Sequence, residues 1–374
     1  DPRVFTPGHL AVIRAAARFT DGRTLEAGGV TVRARRFVLA TGSAPLVPPI
    51  PGLEFVRYLT NETIFDIDIL PRRLIIVGGG AVGIELAQAH RRLGSEVTVI
   101  ARSQILPRED AEAAGVIRST LAEEGVRLIE QARVTRIARQ PAGLALDLEG
   151  EGAPALVQAS HLLVATGRRS DFSALGLEAA GIAHDSRGIT VDSALRTSNR
   201  RVFAVGDCAG GPQFTHAAGY HAGLVIRKAL FRLPVTVEAS MIPRVTYCDP
   251  EVAAVGLSER TARDSASGVQ TLRWPFAEND RARTGRRTAG FVKVMVDRRG
   301  RILGVTIVGA HAGELIAPWV LAMRQGLKIG AMVDLVLPYP TLSEASRRAA
   351  LQALVPRLRN PWLGRIIRWL RRLG

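Results

Sequence analysis

The sequence has 374 residues, of which 47% are hydrophobic and 37 are glycine, a composition typical of an α/β protein with two or three domains. Its apolar runs fall short of the roughly 18 residues that span a bilayer, so no transmembrane helix is predicted. The formal net charge of +16 comes mostly from arginine, because only three of the 50 basic residues are lysine, and the spread of these arginines lacks a nucleic-acid-binding signature.

The first residues show neither a signal peptide nor an initiator methionine. The two cysteines, Cys208 and Cys248, have neither C-x-x-C nor zinc-ligand spacing. These features predict a cytoplasmic protein without a metal site and without a specific nucleic-acid partner.

Residues 1–40 are predicted to form strands that alternate with turns. Hairpin turns are expected at residues 21–23 and 27–29. An apolar strand over residues 36–40 then leads into Thr41 and Gly42 and a proline-rich connection.

A βαβ unit begins at residue 74 and is the most informative segment of the chain. A short apolar strand runs into G-x-G-x-x-G at Gly78, Gly80 and Gly83, and a helical run and a second strand follow by residue 100. In this context the first glycine permits the turn, the second admits a pyrophosphate and the third lets the helix pack close to the strand. The unit therefore predicts a dinucleotide site at a helix N-terminus.

The residues after the second strand indicate which dinucleotide binds. An NAD enzyme carries an acid here for the ribose 2′-hydroxyl, whereas this chain has Arg102 and Ser103. An arginine can hold a 2′-phosphate with two hydrogen bonds. NADP is therefore favoured, with NAD as the alternative if Arg102 is only one more surface arginine.

The sequence Ala-Thr-Gly, which follows the first apolar strand, occurs a second time after a later strand. After a helix over 109–124 and strands over 127–139 and 144–148, an apolar strand ends in Ala-Thr-Gly at Gly167, as the earlier strand does at Gly42. The repeat suggests two related nucleotide-binding domains, of which one retains its G-x-G-x-x-G.

The remaining elements are predicted as follows. A buried strand ends in Gly206 and Asp207, whose carboxylate can accept from a ligand hydroxyl, and a helix over 216–231 follows with Thr215 as its N-cap. From residue 239 the pattern becomes strand-rich, with helices over 314–325 and 342–354. The predicted domains span residues 1–72, 73–188, 189–238, 239–355 and a tail, 356–374.

Taken together, the motifs resemble the flavoprotein (pyridine nucleotide-)disulfide oxidoreductase family, class I, and most closely its mercuric reductase-like and dihydrolipoamide dehydrogenase-like members. The motifs that carry the resemblance are the two Ala-Thr-Gly exits, the glycine loop with Glu85, Gly206-Asp207, and the segments 249–256 and 340–344. The resemblance implies an α/β fold with two Rossmann-like FAD- and NAD(P)-binding domains, the first incomplete, plus an α+β dimerisation domain.

The resemblance also implies roles for individual residues. Thr41, Gly42 and Gly167 would belong to the cofactor sites, Gly206 and Asp207 would bind FAD, and the helix N-terminus at Thr215 and His216 would face the flavin. The implied catalytic residues are Glu85, which would pair with a lysine beside the flavin, Tyr339, which would lie near the redox thiols, and Glu344, which would act from the partner subunit of a homodimer.

Two features of the family precede residue 1 if they exist. These are the FAD G-x-G-x-x-G and the C-x-x-x-x-C pair with its lysine, so the sequence is expected to be an N-terminally truncated fragment that is inactive alone, against the alternative of genuine loss. The implied reaction of the whole protein passes hydride from NADPH to FAD and on to a disulfide, a thiol-bound metal or a related small-molecule acceptor.

Alternatives to this reaction remain open. They are an NAD(P)H oxidase or quinone reductase on the same fold, a dihydrolipoyl dehydrogenase, and a non-catalytic membrane-tethered scaffold. Tyr339 stands where dihydrolipoamide dehydrogenase carries its histidine base, which argues against that substrate. The C-terminal cysteine pair of mercuric reductases is absent from the sequence, which argues against mercury reduction.

The tail combines arginine with large apolar residues. On a helical wheel, two tryptophans share one arc with leucine and isoleucine, and arginines fill the other. This pattern predicts either a helix lying on an anionic membrane surface, which would place the protein peripherally on the inner face of the membrane, or a helix packed on the dimer.

Overall fold

The computed structural model describes residues 11–141, 143–355 and 361–371. The chain divides into two compact units, whose segments run 1–44 with 168–239 and 45–167 with 240–374. The predicted division into five segments is finer than this and stays a prediction.

The strands, in chain order, are β1 (Ala17–Phe19), β2 (Thr24–Ala27), β3 (Val30–Arg33), β4 (Phe37–Leu39), β5 (Ala44–Pro45), β6 (Arg73–Val77), β7 (Glu96–Ile100), β8 (Arg127–Ile129), β9 (Ala132–Gln140), β10 (Gly143–Gly150), β11 (Leu156–Ala159), β12 (His161–Val164), β13 (Arg168–Arg169), β14 (Val202–Ala204), β15 (Arg244–Thr246), β16 (Glu251–Gly256), β17 (Gln270–Pro275), β18 (Phe291–Val296) and β19 (Ile302–Gly309). The helices are α1 (Ala81–Leu93), α2 (Ala111–Glu123), α3 (Thr215–Ala229), α4 (Glu259–Ser265), α5 (Asp280–Thr284), α6 (Ala312–Leu315), α7 (Ala317–Arg324), α8 (Ile329–Val333), α9 (Glu344–Leu351) and α10 (Pro361–Leu370).

The first unit contains a three-stranded antiparallel meander, β1-β2-β3, which confirms both predicted hairpin turns. Its other strand pair is parallel, with β14 beside β4 in the register Val202 to Phe37. The core of this unit gathers residues from distant segments, including the fully buried Phe19 and Val202. Because β4 and β14 are parallel neighbours, their carboxyl ends lie side by side, and so do the segments that follow them.

The second unit contains a four-stranded parallel sheet in the order β12-β6-β7-β8. The β6 residues Leu74, Ile75 and Ile76 are at most 2% exposed, as expected for a parallel strand covered on both faces. An antiparallel meander, β9 to β11, packs on the same apolar core as Ile75. The parallel pairing of β6 with β7, with α1 between them in sequence, confirms the predicted βαβ unit.

The same unit holds a five-stranded antiparallel sheet, β15-β16-β19-β18-β17. Every residue of β18 is buried, and the fully buried Trp319 of α7 packs in the core of this sheet. The α+β character predicted for residues 239–355 is confirmed.

Several predicted element boundaries were wrong. The helix predicted over 314–325 is two helices, α6 and α7, and α7 carries Pro318 at its start, where a proline without an N–H is tolerated. The strand predicted over 127–139 breaks near Gln131, whose φ of 55° is left-handed. The helix predicted over 342–354 ends at Leu351 and continues as a 3-10 turn.

The N-cap assigned to Thr215 was also wrong. Helix α3 begins at Thr215 itself, after the extended Phe214, and it has no side-chain cap hydrogen bond. The backbone N–H groups of the first turn of α3 therefore have no side-chain acceptor at the N-cap.

Helix α10 lies within the predicted tail, of which 356–360 and 372–374 fall outside the described residues. Among the described residues no helix combines the length and apolar character needed to cross a bilayer.

Candidate functional site

The glycine loop between β6 and α1 has the shape that a dinucleotide requires. Gly78 has a φ of 129°, and a Cβ there would lie 2.2 Å from the Ala165 carbonyl oxygen. A Cβ on Gly83 would lie 2.0 Å from the carbonyl oxygen of Gly78. A Cβ on Gly80 would meet nothing within 4 Å, so open space lies where a ligand would approach the backbone.

The N-terminus of α1 is suited to an anion. Its N-cap is the exposed Gly80, no side chain caps it, and its first turn holds no acid. The unsatisfied N–H groups and the helix dipole both favour negative charge. The residues present therefore fit a dinucleotide pyrophosphate, although the roles of the individual glycines stay predictions.

Arg102 and Ser103 follow β7 and are both exposed. The Ser103 hydroxyl donates to the Gln104 carbonyl at 3.3 Å, and Arg102 has no carboxylate partner within the described part of the chain. The acid that follows β8, Glu130, accepts from the Ile105 N–H at 2.6 Å and pairs with Arg118 at 2.7 Å. The positive charge of Arg102 is thus available to an anionic ligand.

Glu85 lies half-buried on α1. Its carboxylate accepts from the Tyr247 backbone N–H at 2.7 Å, and burial raises the pKa of Glu85. The lysine expected to pair with it would precede residue 1, so the described residues do not test this pairing. The catalytic role of Glu85 stays a prediction.

In the other unit, β4 and β14 bring the flavin-site candidates to one edge. Gly42 has a φ of 66° and accepts from the Ser170 hydroxyl at 2.9 Å, while Gly206 has a φ of 68°. Thr41 is exposed at the same edge. A ligand lying across this edge would meet backbone in conformations that favour glycine.

Asp207 is held by two residues that sequence reasoning missed as site residues. The Ser43 hydroxyl donates to the Asp207 carboxylate at 2.5 Å, and Arg168 Nε donates to the same Ser43 oxygen at 2.7 Å and lies 3.6 Å from that carboxylate. Ser43 and Arg168 are the residues that directly follow the two Ala-Thr-Gly exits. The repeat was therefore a signal that the two positions could serve one site.

A buried histidine supports the same turn. The Gly206 N–H donates to His221 Nδ1 at 3.2 Å, so this nitrogen carries no proton and the ring is neutral. His221 is 3% exposed and burial lowers its pKa, which favours the neutral form. Nearby on α3, Thr215 and His216 are exposed, and the His216 ring stacks on Phe214 with centroids 5.2 Å apart.

Tyr339 and Glu344 lie on the second unit. Tyr339 is 71% exposed, and its hydroxyl donates to Asp280 at 3.1 Å. This hydrogen bond, followed by the negative charge of Asp280, raises the pKa of Tyr339. Glu344 accepts from the Thr341 N–H at 3.4 Å. Asp280 was not predicted as a site residue, because it lies 59 positions away from Tyr339 in the sequence.

A metal centre is not indicated by the side chains. Across residues 11–141, 143–355 and 361–371, no group of three or more histidine, cysteine or acidic side chains is placed to hold a metal ion. Cys208 and Cys248 are both buried as free thiols, and burial raises the pKa of Cys248 to about 12, so it is not a ready nucleophile.

Comparison with known proteins agrees with this geometry. The family model for pyridine nucleotide-disulphide oxidoreductases matches residues 5–222, and the model for the dimerisation domain of that family matches residues 242–350. A mercuric reductase from Bacillus cereus is 36% identical over 343 residues, which are 91% of this chain and 54% of the relative. A dihydrolipoyl dehydrogenase from Thermus scotoductus is 38% identical over 354 residues, 91% of this chain and 75% of the relative.

A solved structure shows the same fold. The Cu(II) complex of the HOCl-induced flavoprotein disulfide reductase RclA from Escherichia coli aligns with a TM-score of 0.83 at 29% identity, covering 90% of this chain and 77% of that one. The chain spans about half the length of the Bacillus mercuric reductase that it matches. The fold class is confirmed, and the chain belongs to the pyridine nucleotide-disulphide oxidoreductase family.

Proposed function

We propose that the protein containing this chain passes hydride from NADPH to FAD and onward to a disulfide or a thiol-bound metal. Nucleotide binding is supported by the uncapped N-terminus of α1 at Gly80, together with the charge of Arg102, which has no carboxylate partner among the described residues. NADP rather than NAD follows from that arginine, because a guanidinium can hold a 2′-phosphate through two hydrogen bonds.

The nicotinamide and the flavin supply the redox chemistry when bound, and the protein aligns them. The N–H groups at the start of α1 would hold the pyrophosphate, and Arg102 with Ser103 would hold the 2′-phosphate. Asp207, oriented by Ser43 and Arg168, would accept a hydrogen bond from a flavin ribityl hydroxyl. The start of α3 would present its dipole to the flavin ring, where it stabilises negative charge.

The acceptor is proposed by analogy with relatives. Some of them are named mercuric reductase, and one structural neighbour is a copper complex of a disulfide reductase, so a soft metal held by thiols is a reasonable acceptor class. The Tyr339 hydroxyl, held by Asp280, would lie where the acceptor meets the dithiol. An oxidase or a quinone reductase is the competing function, and it would need no C-x-x-x-x-C pair.

The protein expressed from the complete gene tests the reaction. The expected result is a yellow flavoprotein that oxidises NADPH in the presence of a disulfide or a thiol-bound metal, and that loses this activity when its redox cysteines are alkylated. A colourless product that takes up no flavin would refute the proposal. Full NADPH consumption after alkylation would favour the oxidase instead.

The role of Arg102 can be tested on this chain alone. Arg102→Ala should weaken NADPH binding by about tenfold or more and leave NADH binding nearly unchanged, because only NADPH carries the 2′-phosphate. Arg260→Ala, an exposed arginine outside the βαβ unit, serves as the matched control. Equal affinity of the unmodified chain for NADPH and NADH would remove the basis for NADP.

The dimerisation domain supports a homodimer as the working assembly. We propose this arrangement because Glu344 and Tyr339 would then complete the site of the partner subunit. Light scattering of the purified protein should give twice the mass of one chain, and a monomer that retains full activity would contradict the proposal.

We further propose that the tail holds the cytoplasmic protein on an anionic membrane surface. On α10 the apolar side chains of Trp362, Ile366 and Trp369 are 67%, 48% and 60% exposed, while Arg365 and Arg368 are exposed as well. Large exposed apolar residues beside arginines are typical of helices that lie in a lipid interface. Removing 356–374 should abolish sedimentation with phosphatidylserine vesicles, and unchanged sedimentation would favour packing on the dimer.

A further inference from the structure

A cleft opens at the amino ends of the strands of the parallel sheet, whereas the glycine loop follows the carboxyl end of β6. The cleft has a volume of about 570 Å³. Its lining combines arginines, one acid and an apolar wall: Arg73, Leu74, Ile75, Arg91, Glu96, Val97, Thr98, Gly125, Arg127, Leu156, Val157 and Gln158. Ligand sites for nucleotide-sized molecules fall in this range of volumes.

The sheet topology separates this cleft from the dinucleotide site. Arg73, Glu96 and Arg127 are the first residues of β6, β7 and β8. The backbones of Arg73 and Glu96 lie opposite each other in the register of the parallel strands. The glycine loop follows the last residue of β6, and a five-residue strand is roughly 16 Å long. The two sites therefore lie at opposite ends of the same strands and can be filled together.

The charge of the cleft is not neutralised by its own residues. Arg73 and Arg127 have no carboxylate partner in the described part of the chain. Arg91 donates to the carbonyl oxygens of Glu124, at 2.6 Å, and Ser95, at 3.3 Å, and these neutral groups leave its positive charge in place. Three arginines against one glutamate give the lining a net charge of +2.

The position of Arg91 depends on a glycine. Gly125 has a φ of 83°, and a Cβ there would lie 3.0 Å from Arg91 Nη2. Any side chain at Gly125 would be strained and would crowd the guanidinium. The turn after α2 thus leaves space for the guanidinium of Arg91, which lines the cleft.

Part of the lining of the cleft is apolar. Leu156 is 49% exposed at the start of β11, and Val157 lies next to it. A half-exposed leucine beside guanidinium groups suits an anion that also carries a flat or aliphatic part. Several guanidiniums around one cavity match the spaced oxygens of a polyphosphate better than a single carboxylate.

We propose that this cleft is a second anion site, which binds a small organic polyphosphate such as a nucleoside di- or triphosphate while the glycine loop holds its own dinucleotide. The site is independent of FAD and of the redox reaction proposed above. Its volume favours a small molecule over the backbone of a nucleic acid.

Isothermal titration of this chain with ATP and with inorganic tripolyphosphate, in the presence of saturating NADPH, tests the proposal. We expect one molecule to bind under these conditions. Arg73→Gln and Arg127→Gln should each weaken binding by about tenfold, whereas Arg102→Ala and the control Arg260→Ala should leave it unchanged. Glu96→Gln should tighten binding, because it removes the one acid of the lining, and a gain of affinity cannot arise from misfolding.

The outcomes separate the alternatives. Loss of polyphosphate binding when NADPH is added, or on Arg102→Ala, would place the anion in the dinucleotide site and overturn the proposal. Equal weakening by Arg260→Ala would show non-specific attraction to an arginine-rich chain and would also overturn it. Tighter binding of a DNA duplex than of ATP, lost in the same two glutamine variants, would show a nucleic-acid surface in place of a small-molecule site.

Discussion

Lys293 holds helix α2 against the antiparallel sheet, and its removal should be the most damaging charge change in the second unit. Its side chain is 5% exposed, and its ammonium lies 2.9 Å from Asp110, 2.8 Å from Glu112 and 3.0 Å from Glu259. In Lys293→Met the aliphatic part is kept while the charge is lost. Breaking a buried pair by removing one partner typically costs 3–5 kcal/mol.

The structure places the expected cost at the lower end of that range. Glu112 keeps an ion pair with Arg273 and Glu259 keeps one with Arg263. Asp110, itself 5% exposed, keeps two backbone donors at the start of α2, so it loses its ionic partner but not all its hydrogen bonds. We expect a loss of about 3 kcal/mol in the free energy of unfolding at pH 7.

The pH dependence of this loss has a definite sign. Burial alone would raise the pKa of Glu112, but hydrogen bonds led by that from Lys293 outweigh it and hold the pKa below its ordinary value; Glu259 behaves alike. Burial opposes the charge of Lys293, yet its carboxylate partners raise its pKa. The carboxylate contribution is present above a pKa of about 4.3 and is lost as pH falls through the lower folded values, while the lysine contribution is lost above about pH 10.

Urea unfolding of both proteins, followed between pH 3 and pH 9, checks this reasoning. The difference between the unmodified chain and Lys293→Met should be full from about pH 5 to pH 9 and should narrow below pH 4. Lys328→Met, an exposed lysine, is the matched control and should change stability by less than about 0.5 kcal/mol. An unfolding free energy that stays the same or rises in Lys293→Met would refute the argument.

Three further predictions concern the site residues. Gly83→Ala should destabilise the chain by about 1–3 kcal/mol in urea unfolding, because its Cβ would lie 2.0 Å from a carbonyl oxygen, whereas Gly115→Ala, which meets nothing within 4 Å, should stabilise helix α2 by up to about 1 kcal/mol. Asp280→Asn should lower the pKa of Tyr339 in a titration followed by tyrosinate absorbance, since Asp280 raises it now, and an unchanged titration would show that the 3.1 Å hydrogen bond does not form in solution. Ser43→Ala, tested in the complete gene product, should weaken FAD binding by about tenfold, and unchanged flavin retention would show that this hydroxyl does not orient the carboxylate it contacts.

The parts of the fold that could be predicted from the sequence have local causes. The run of buried apolar residues in β6, the glycine loop and the helix that follows are adjacent in sequence, and Gly83 answers a constraint set by the nearby Gly78. The boundaries that were wrong depend on conformations that the residue type does not dictate. Gln131 adopts a left-handed φ, and Thr215 lies inside the helix because Phe214 is the extended residue that precedes it.

The parts of the site that were missed are long-range pairs. Ser43 and Arg168 are 125 positions apart, and the contact of Lys293 with Asp110 spans 183 positions. Single-sequence patterns carry no information on which two polar residues meet across such a distance, because many serines and arginines share the same local context. For Ser43 and Arg168, the only relation visible in the sequence was that each follows an Ala-Thr-Gly at the end of a strand. That relation concerns the topology of the chain and not the chemistry of the two side chains.

The arginine content of the chain bears on both anion sites. A compositional bias would replace lysine by arginine everywhere, and some of these arginines pair with a carboxylate, as Arg118 and Arg244 do. Neither Arg102 nor Arg73 has a carboxylate partner among the described residues, and their positions set them apart: Arg102 follows the carboxyl end of β7, and Arg73 begins β6 and lines the cleft. A guanidinium beside an open cavity or a helix N-terminus, left without an internal anion, is stabilised most by an external one, and we therefore expect ligand charge at both ends of these strands.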